Sequence, residues 1–187
     1  MSDIILLSGS PSLASRSTAV LTYIEELISR EEISASSLSL RDLPAEELLY
    51  GYYDSPAIQE AAERITKAKA VVIATPVYKA AYTGFLKIFL DLLPRDALQD
   101  KIVLPIAVGG TLAHLLTIDY ALKPVLNALG ARYIYSGVYI LDSQIERSGL
   151  HLRIEDDIKH RIHKAVQQLI FEYKQQHHPI FQKGGES

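Results

Sequence analysis

Short apolar runs and amphipathic stretches alternate along the chain. Apolar runs rich in β-branched residues predict strands, and apolar residues at helical spacing predict helices. The predicted strands cover 3–8, 34–40, 70–75, 102–108 and 133–140. The predicted helices cover 15–30, 55–68, 82–93, 112–129 and 153–176. Each predicted strand is thus followed by a predicted helix, which is the order that builds βαβ units.

Two of the predicted strands are apolar at nearly every position, which indicates that both of their faces are buried. These runs are Val71–Ala74 and Ile102–Val108. Strands of this kind occur in parallel sheets that helices cover on both sides. We therefore predict an α/β fold with a doubly wound, five-stranded parallel sheet in the order 2-1-3-4-5 and helices on both faces.

The chain is long enough for one domain with a full core and too short for two. It has 187 residues, of which 48% are hydrophobic. We expect residues 1–176 to form a single domain and residues 177–187 to form a polar tail. The segment 41–56 contains Pro44, Gly51 and three tyrosines, and it predicts a long crossover loop that acts as a lid or a subunit contact.

The composition narrows the classes of partner. The formal net charge is −3, from 19 basic and 22 acidic residues, and without a basic stripe we expect no nucleic-acid binding. The sequence contains no cysteine, which excludes disulfides and thiolate chemistry. No apolar run reaches the roughly 18 residues of a membrane span, and the N-terminus lacks a signal-peptide pattern. We therefore expect a cytoplasmic protein with no membrane partner.

Two histidines on one predicted helix could attract a metal ion. His160 and His163 lie three residues apart, close to two aspartates. A metal site needs a third and a fourth ligand, and none converges on this pair in the sequence. We expect no metal site here.

Three turns at strand ends are the best candidates for a binding site. In a doubly wound sheet, ligands bind beyond the carboxyl ends of the strands. Such ends occur at Gly9–Pro11, Thr75–Tyr78 and Gly109–Thr111. In the predicted strand order their strands are neighbours, so the three turns converge on one crevice. We call the segments 9–17, 75–83 and 109–114 the first, second and third loop.

The first loop has the composition of a phosphate site. Four serines and one arginine follow the first predicted strand and lead into a helix. Backbone N–H groups at a helix N-terminus lack partners, and the helix dipole favours an anion there. Serine hydroxyls and the planar fork of Arg16 add further donors. The alternative is an ordinary turn in which the serines only cap the helix.

Three common motifs are absent from the sequence. No G-x-G-x-x-G follows the first strand, and neither G-x-x-x-x-G-K-[ST] nor G-x-S-x-G occurs. Their absence disfavours a dinucleotide-binding Rossmann domain, a P-loop enzyme and a serine hydrolase. A serine-rich phosphate loop beside two loops with backbone donors suits a mononucleotide whose ring lies across the strand ends.

The three loops together resemble a known family. The matching segments are Ser8–Pro11, Ser15–Ser17, Ala74–Gly84 and Gly109–His114. They are similar to the flavodoxin-like NADPH-dependent FMN reductases, among them the reductase of the two-component alkanesulfonate monooxygenase system. The resemblance spans roughly residues 3–145. It implies a flavodoxin-like fold, FMN and NADPH as cofactors, and a homodimer or homotetramer that supplies reduced FMN to a monooxygenase.

The resemblance also implies a role for each loop. The first loop binds the FMN phosphate through Ser10, Ser15, Arg16 and Ser17. The second loop borders the isoalloxazine ring with Pro76, Val77, Tyr78 and Lys79. The third loop lies along the other side of the ring with Gly109, Gly110 and Thr111, and His114 is close by. Glycines let the main chain approach a flat ring closely. No residue is assigned as a catalytic acid or base, and Lys79 either stabilises the anionic reduced ring or is a solvated lysine.

A proline inside the predicted helix 112–129 indicates a local distortion. Pro124 leaves the carbonyl of Tyr120 without its helical partner, and a bulge or kink at Tyr120 relieves the resulting clash. The family is similar in having a π-helical turn at a subunit interface beside the flavin. We hypothesise that Tyr120 packs against a partner subunit and helps FMN to enter and leave. The alternative is a kinked core helix with a half-buried tyrosine.

Several functions remain compatible with the sequence. One alternative is a quinone or azo reductase that retains its flavin, and another is a flavodoxin-like electron carrier without enzymatic activity. A flavin-free interaction domain on the same fold is a third. The preference for NADPH over NADH follows from the resemblance alone, and whether FMN is a substrate or a prosthetic group stays open.

Overall fold

A parallel sheet runs through the centre of the computed structural model, which describes residues 2–148 and 151–177. The strands are β1 (Ile4–Ser8), β2 (Ala35–Ser39), β3 (Ala70–Tyr78), β4 (Ala81–Tyr82), β5 (Ile102–Gly109), β6 (Tyr133–Ile134), β7 (Val138–Leu141), β8 (Ile145–Ser148) and β9 (His151–Ile154). The α-helices are α1 (Arg16–Ser29), α2 (Ala45–Tyr50), α3 (Pro56–Lys67), α4 (Gly84–Leu92), α5 (Lys123–Ala128) and α6 (Asp156–His177).

The predicted strand order is confirmed. The sheet has the order β2-β1-β3-β5-β6, and β7 continues the fifth position by pairing with β5. All of these pairings are parallel, with Ile4 opposite Ala70 and Ala70 opposite Ile102. Since β4 belongs to a short hairpin beside β3, this is the flavodoxin-like order 2-1-3-4-5. The carboxyl ends of β1, β3 and β5 therefore lie side by side.

Both faces of the sheet are apolar, and each packs against its own helices. On one face Leu6 and Val72 pack with buried residues of α1 and α6. On the other face Leu7 and Val71 pack with buried residues of α3, α4 and α5. Consecutive residues of β1 and β3 thus point to opposite sides, as the uninterrupted apolar runs predicted.

The fifth strand was predicted to run without a break over 133–140, and this prediction is wrong. It is divided into β6 and β7, and the offset from β5 increases by one residue between the two halves. The extra residue is accommodated near Gly137, which has a φ of 81° and would place a Cβ 2.5 Å from the carbonyl oxygen of Pro105. A one-residue insertion of this kind is a β-bulge, and it depends on pairing that the hydrophobic pattern does not encode.

Three other predictions need correction. The segment 41–56 is not a plain loop, because it contains α2, which ends at Gly51 in the left-handed conformation. The predicted helix 112–129 is divided into a 3-10 turn (Leu112–His114), a π-helix (Ile118–Leu122) and α5. The last predicted helix begins at Asp156 because β8 and β9 form an antiparallel hairpin before it.

Helix α6 extends to His177, and the remainder of the predicted tail, 178–187, lies outside the described residues. Among residues 2–148 and 151–177, no helix combines the length and the apolar character needed to cross a membrane.

Candidate functional site

The first loop is organised by hydrogen bonds between its own residues. Ser15 caps α1, with its Oγ accepting a hydrogen bond from the backbone N–H of Thr18 at 3.2 Å. The Ser15 and Ser17 hydroxyls lie 2.8 Å apart, and Ser10 Oγ accepts from the N–H of Ser12 at 3.2 Å. Ser10, Ser15 and Ser17 are at most 5% exposed. The polar atoms of this loop are therefore held in fixed positions at the end of β1.

A small polar cavity lies in front of these serines. Its volume is about 180 Å³. It is lined by Ser10, Ser12, Ala14, Ser15, Arg16, Ser17, Pro76, Val77, Tyr78, Val108 and Asp142. We call it the first cavity. It brings together all four predicted phosphate ligands and three of the four predicted ring neighbours from the second loop.

The donors around the first cavity match an anion. Within the described part of the chain, the backbone N–H groups of Arg16 and Ser17 have no hydrogen-bond partner. They lie at the N-terminus of α1, where the helix dipole favours negative charge. The Arg16 Nε donates to the carbonyl of Ile145 at 3.1 Å, and its terminal guanidinium nitrogens remain available as donors. Free amides, buried hydroxyls and a guanidinium form a donor set that fits a phosphate group.

The second loop forms a strained hairpin. Strands β3 and β4 are connected by Lys79 and Ala80, which have φ values of 52° and 63°. Positive φ at both positions is typical of a type I′ turn, and a residue other than glycine adopts it at a cost of about 1 to 2 kcal/mol. The hydroxyl of Thr117 donates to the carbonyl of Ala80 at 2.9 Å and holds the turn. Lys79 itself is exposed and lies outside the lining of the first cavity.

Two buried threonines join the first loop to the second. Thr83 Oγ1 donates to the carbonyl of Gly9 at 2.6 Å and accepts from the N–H of Leu86 at 3.0 Å, so it also caps α4. The N–H of Thr83 in turn donates to Thr75 Oγ1 at 3.2 Å. Both threonines are at most 2% exposed. The bond from Thr83 to Gly9 therefore fixes the two loops directly to each other, and Thr75 holds Thr83 in place within the second loop.

The third loop is held by a tyrosine from the fifth strand. The hydroxyl of Tyr139 donates to the carbonyl of Thr111 at 2.6 Å. A Cβ on Gly109 would overlap this hydroxyl and would lie 3.2 Å from the Cβ of Val77. Burial, and secondarily the charge of Asp142, raise the pKa of Tyr139. The close approach that requires glycine at position 109 is thus to a side chain of the protein itself.

Gly110 and the residues after it occupy a different environment. A Cβ on Gly110 would meet no atom closer than Asp142 Oδ2 at 3.8 Å, so this position is open. His114 does not line the first cavity. It borders a second cavity of about 370 Å³, whose lining is mostly apolar. That lining comprises Ala80, Ala113, His114, Leu116, Thr117, Tyr120 and Ala121.

The predicted distortion at Tyr120 is confirmed as a π-helix. It spans Ile118–Leu122, and the N–H of Lys123 donates to the carbonyl of Ile118, five residues earlier. Tyr120 is 79% exposed, so it is not the half-buried core tyrosine of the alternative interpretation. Leu112, Leu115 and Leu116 are also exposed on this segment. We call Leu112, Leu115, Leu116 and Tyr120 the apolar face.

Several side chains at the site were not singled out by the sequence pattern. These are Thr75, Thr83, Tyr139, Asp142 and Arg147. Thr83 carries a readable signal, because a threonine directly before an amphipathic stretch is a common helix cap. No local pattern identifies Tyr139 or Asp142, whose roles depend on where the fifth strand lies.

The histidines on α6 do not form a metal site with described residues. His163 Nε2 and the hydroxyl of Tyr23 are hydrogen-bonded at 2.6 Å, and the two rings are stacked. In the ranges 2–148 and 151–177, no group of three or more histidine, aspartate or glutamate side chains is arranged to hold a metal ion. His163 therefore serves to attach α6 to α1.

A family model, two curated relatives and a solved structure that are similar to this chain all concern reductases of FMN. A family model described as NADPH-dependent FMN reductase matches residues 2–146. An FMN reductase (NADPH) of Escherichia coli is 50% identical over 142 residues, which are 76% of this chain and 74% of that protein. An FMN reductase (NADPH) of Pseudomonas putida is 45% identical over 142 residues, covering 76% and 72%. The apo crystal structure of an NADH:FMN oxidoreductase (EMOB) superposes with a TM-score of 0.82 at 34% identity, covering 92% of this chain and 90% of that chain.

Proposed function

Because this chain belongs to the NADPH-dependent FMN reductase family, we propose that it reduces FMN with a nicotinamide cofactor and holds the FMN phosphate in the first cavity. The observation that supports this assignment is the set of free N–H groups and buried hydroxyls at the N-terminus of α1. The second loop borders the same cavity, so a ring attached to the phosphate through a short chain would lie against Pro76, Val77 and Tyr78.

When bound, FMN and NADPH supply the redox chemistry, which is hydride transfer from the nicotinamide to the flavin. The protein supplies binding and orientation. The residues at the first cavity provide that orientation. Ser10, Ser15 and Ser17 are immobilised by their own hydrogen bonds, so they bind the phosphate without further ordering. Pro76 and Val77 present a stiff apolar edge, and Tyr78 is 50% exposed beside them.

We assign Lys79 an electrostatic role in this scheme. It lies at the tip of the β3–β4 turn, directly after the residues that border the cavity. A positive charge there stabilises negative charge that develops on the reduced ring. The variant Lys79→Ala is expected to lower the turnover number more than it weakens FMN binding. Unchanged affinity and unchanged turnover would remove Lys79 from the site.

The test of the phosphate assignment compares FMN with riboflavin, because the two differ by the phosphate. Binding is measured by quenching of flavin fluorescence, and activity by steady-state NADPH and NADH oxidation. We expect FMN to bind at least about tenfold more tightly than riboflavin, since charge-assisted hydrogen bonds to the phosphate are worth about 1.5 to 3 kcal/mol each. Equal affinities would contradict the assignment. A higher rate with quinones than with free FMN would indicate a flavin-retaining reductase instead.

We further propose that FMN is exchanged as a substrate and that the apolar face is a contact between copies of this chain, in a homodimer or homotetramer. Support comes from the π-helix and from four exposed apolar side chains next to the second cavity. Helix α4, by contrast, has no large apolar residue among the exposed ones, so we do not include it in this contact. Reduced FMN released in this way would serve a flavin-dependent monooxygenase.

Deletion of Tyr120 tests the exchange proposal. Removing one residue from the π-helix restores an α-helical register, and we expect FMN to copurify with the variant. Light scattering after size exclusion reports the assembly state of the wild type and of Tyr120→Ala, with Tyr133→Ala as a control at another exposed tyrosine. A deletion variant that exchanges FMN normally would refute the exchange proposal, and a monomeric wild type would refute the proposed contact between copies.

Transfer of reduced FMN to a monooxygenase is tested by adding a purified flavin-dependent monooxygenase and measuring product formation.

A further inference from the structure

The β8–β9 hairpin and the first loop are linked by two arginines that cross in opposite directions. Arg147 on β8 donates from Nη1 to the carbonyl of Ser15 at 3.1 Å, and to that of Leu13 at a longer 3.4 Å. Arg16 on the first loop donates from Nε to the carbonyl of Ile145, also on β8. The hairpin thus holds the loop from the side opposite to its donors.

The contact with Ser15 has a direct geometric consequence. In a trans peptide the C=O of one residue and the N–H of the next point in opposite directions. Holding the Ser15 carbonyl therefore orients the N–H of Arg16, which is one of the two unpartnered amides at the first cavity. The same carbonyl accepts the first helical bond from Ala19 at 3.1 Å, so Arg147 and α1 fix this peptide together.

The hairpin also directs the side chain of Arg16. With its Nε engaged by Ile145, the guanidinium plane is constrained and the two terminal nitrogens remain as donors. Arg147 contributes a second positive charge behind the loop, where it offsets the partial negative charge of the carbonyls. Both effects increase the attraction of the first cavity for an anion.

This link lies at the edge of the family match, which ends at residue 146. Arg147 is therefore outside the segment that the family model describes. From the crossed contacts we infer that Arg147 is a positioning residue, which presents the Arg16 N–H to the phosphate and thereby makes the protein prefer FMN over riboflavin. The inference rests on the proposed binding of the phosphate in the first cavity.

The experiment compares Arg147→Met with Arg153→Met. Both variants remove one positive charge from the same hairpin, and methionine retains most of the apolar stem. Arg153 is 82% exposed and contacts Glu146 at 3.5 Å, without reaching the first loop. The dissociation constants of FMN and riboflavin are measured by fluorescence quenching, and circular dichroism melting curves report folding. We expect Arg147→Met to bind FMN about tenfold more weakly, because the Arg16 N–H is no longer oriented for its charge-assisted hydrogen bond to the phosphate. Riboflavin, which lacks the phosphate, should bind nearly as it does to the wild type. Arg153→Met is expected to resemble the wild type.

Three results would overturn the inference. Equal weakening of FMN binding in both variants would mean that charge alone matters. Equal weakening of FMN and riboflavin by Arg147→Met would mean that the hairpin has a general structural role. Full recovery of FMN affinity in Arg147→Lys would also exclude orientation by the guanidinium. A wild type that binds FMN and riboflavin equally would instead refute the proposed phosphate site, and the two failures are thus separable.

Discussion

The first and third loops flank the second loop, but they are held in different ways. In the first loop the hydroxyls of Ser10, Ser15 and Ser17 take part in hydrogen bonds with partners two or three residues away. In the third loop two local bonds, from the N–H groups of Ala113 and His114 to Thr111, are combined with a tether from Tyr139, which is 28 residues from Thr111. The serine hydroxyls of the first loop are thus placed by local partners, while distant donors from Thr83 and Arg147 reach its backbone carbonyls. The third loop depends on the fifth strand.

The two loops therefore differ in what holds their backbone and side chains in position. Serines at a helix N-terminus keep their own hydroxyl groups in place through hydrogen bonds within the loop. A glycine loop has no side chains to do this, so its path is set by what packs against it. We therefore expect substitutions to perturb the third loop through packing and the first loop through individual hydrogen bonds.

The largest expected effect is that of Gly109→Ala, with Gly110→Ala as its matched control. An added Cβ at position 109 overlaps the Tyr139 hydroxyl, whereas position 110 is open. Overpacking and the lost hydrogen bond should lower the free energy of unfolding by about 3 kcal/mol, against less than about 0.5 kcal/mol for the control. Urea denaturation measures both values. The double variant Gly109→Ala/Tyr139→Phe should recover part of the loss, and no recovery would exclude the overlap as the cause.

A smaller effect is expected when the links to the second loop are removed one at a time. Thr83→Val deletes the bond to the Gly9 carbonyl and the cap of α4, and should cost about 2 kcal/mol. Thr117→Val deletes the bond to the Ala80 carbonyl and should cost about 1 kcal/mol. Denaturation curves of the two isosteric variants give the comparison. A reversed order would mean that the second loop is linked more strongly to Thr117, at the start of the π-helix, than to the first loop.

Loss of the first-loop cap should affect binding more than stability. Ser15→Ala removes the hydroxyl that accepts from Thr18 and contacts Ser17, at an expected cost of about 1 kcal/mol in unfolding free energy. FMN affinity should fall at least about tenfold with little change for riboflavin. Ser29→Ala is the control, because Ser29 lies at the opposite end of α1, where its hydroxyl donates to the carbonyl of Glu26. Equal effects of the two variants on FMN affinity would contradict a specific role of Ser15.

The smallest effect is a pH dependence confined to the third loop. Since the pKa of Tyr139 is raised in the folded protein, its contribution to stability is complete below about pH 10 and is lost as the pH rises further. Burial also raises the pKa of Tyr135, to about 12, and this contribution is common to the wild type and Tyr139→Phe. The stability difference between these two proteins should therefore shrink, by at most about 1 kcal/mol, between pH 8 and pH 11. A difference that stays constant would contradict this account.

Predictions from sequence succeeded where a local pattern determines the outcome. The strand order followed from the alternation of apolar strands with helices, and the π-helix followed from Pro124, which removes a helical donor. The bulge between β6 and β7 was not predicted, because it depends on pairing with β5. The β8–β9 hairpin is a local feature of residues 145–154, and it was missed because the predicted helix was started at residue 153. Seven of the predicted site residues, four from the first loop and three from the second, line the first cavity. Val108 and Asp142 also line it and were not predicted, and His114 lies at the second cavity instead.

By itself the sequence determined the alternation of strands and helices, the serine-rich turn after β1 and the position of the helical distortion, since each is written in a local pattern. The tertiary structure alone decided that Tyr139 holds the third loop and that Arg147 holds the first. Both side chains act on carbonyl groups more than 25 residues away in the chain. Every residue offers such a carbonyl, so no local pattern marks the one that a distant donor will reach.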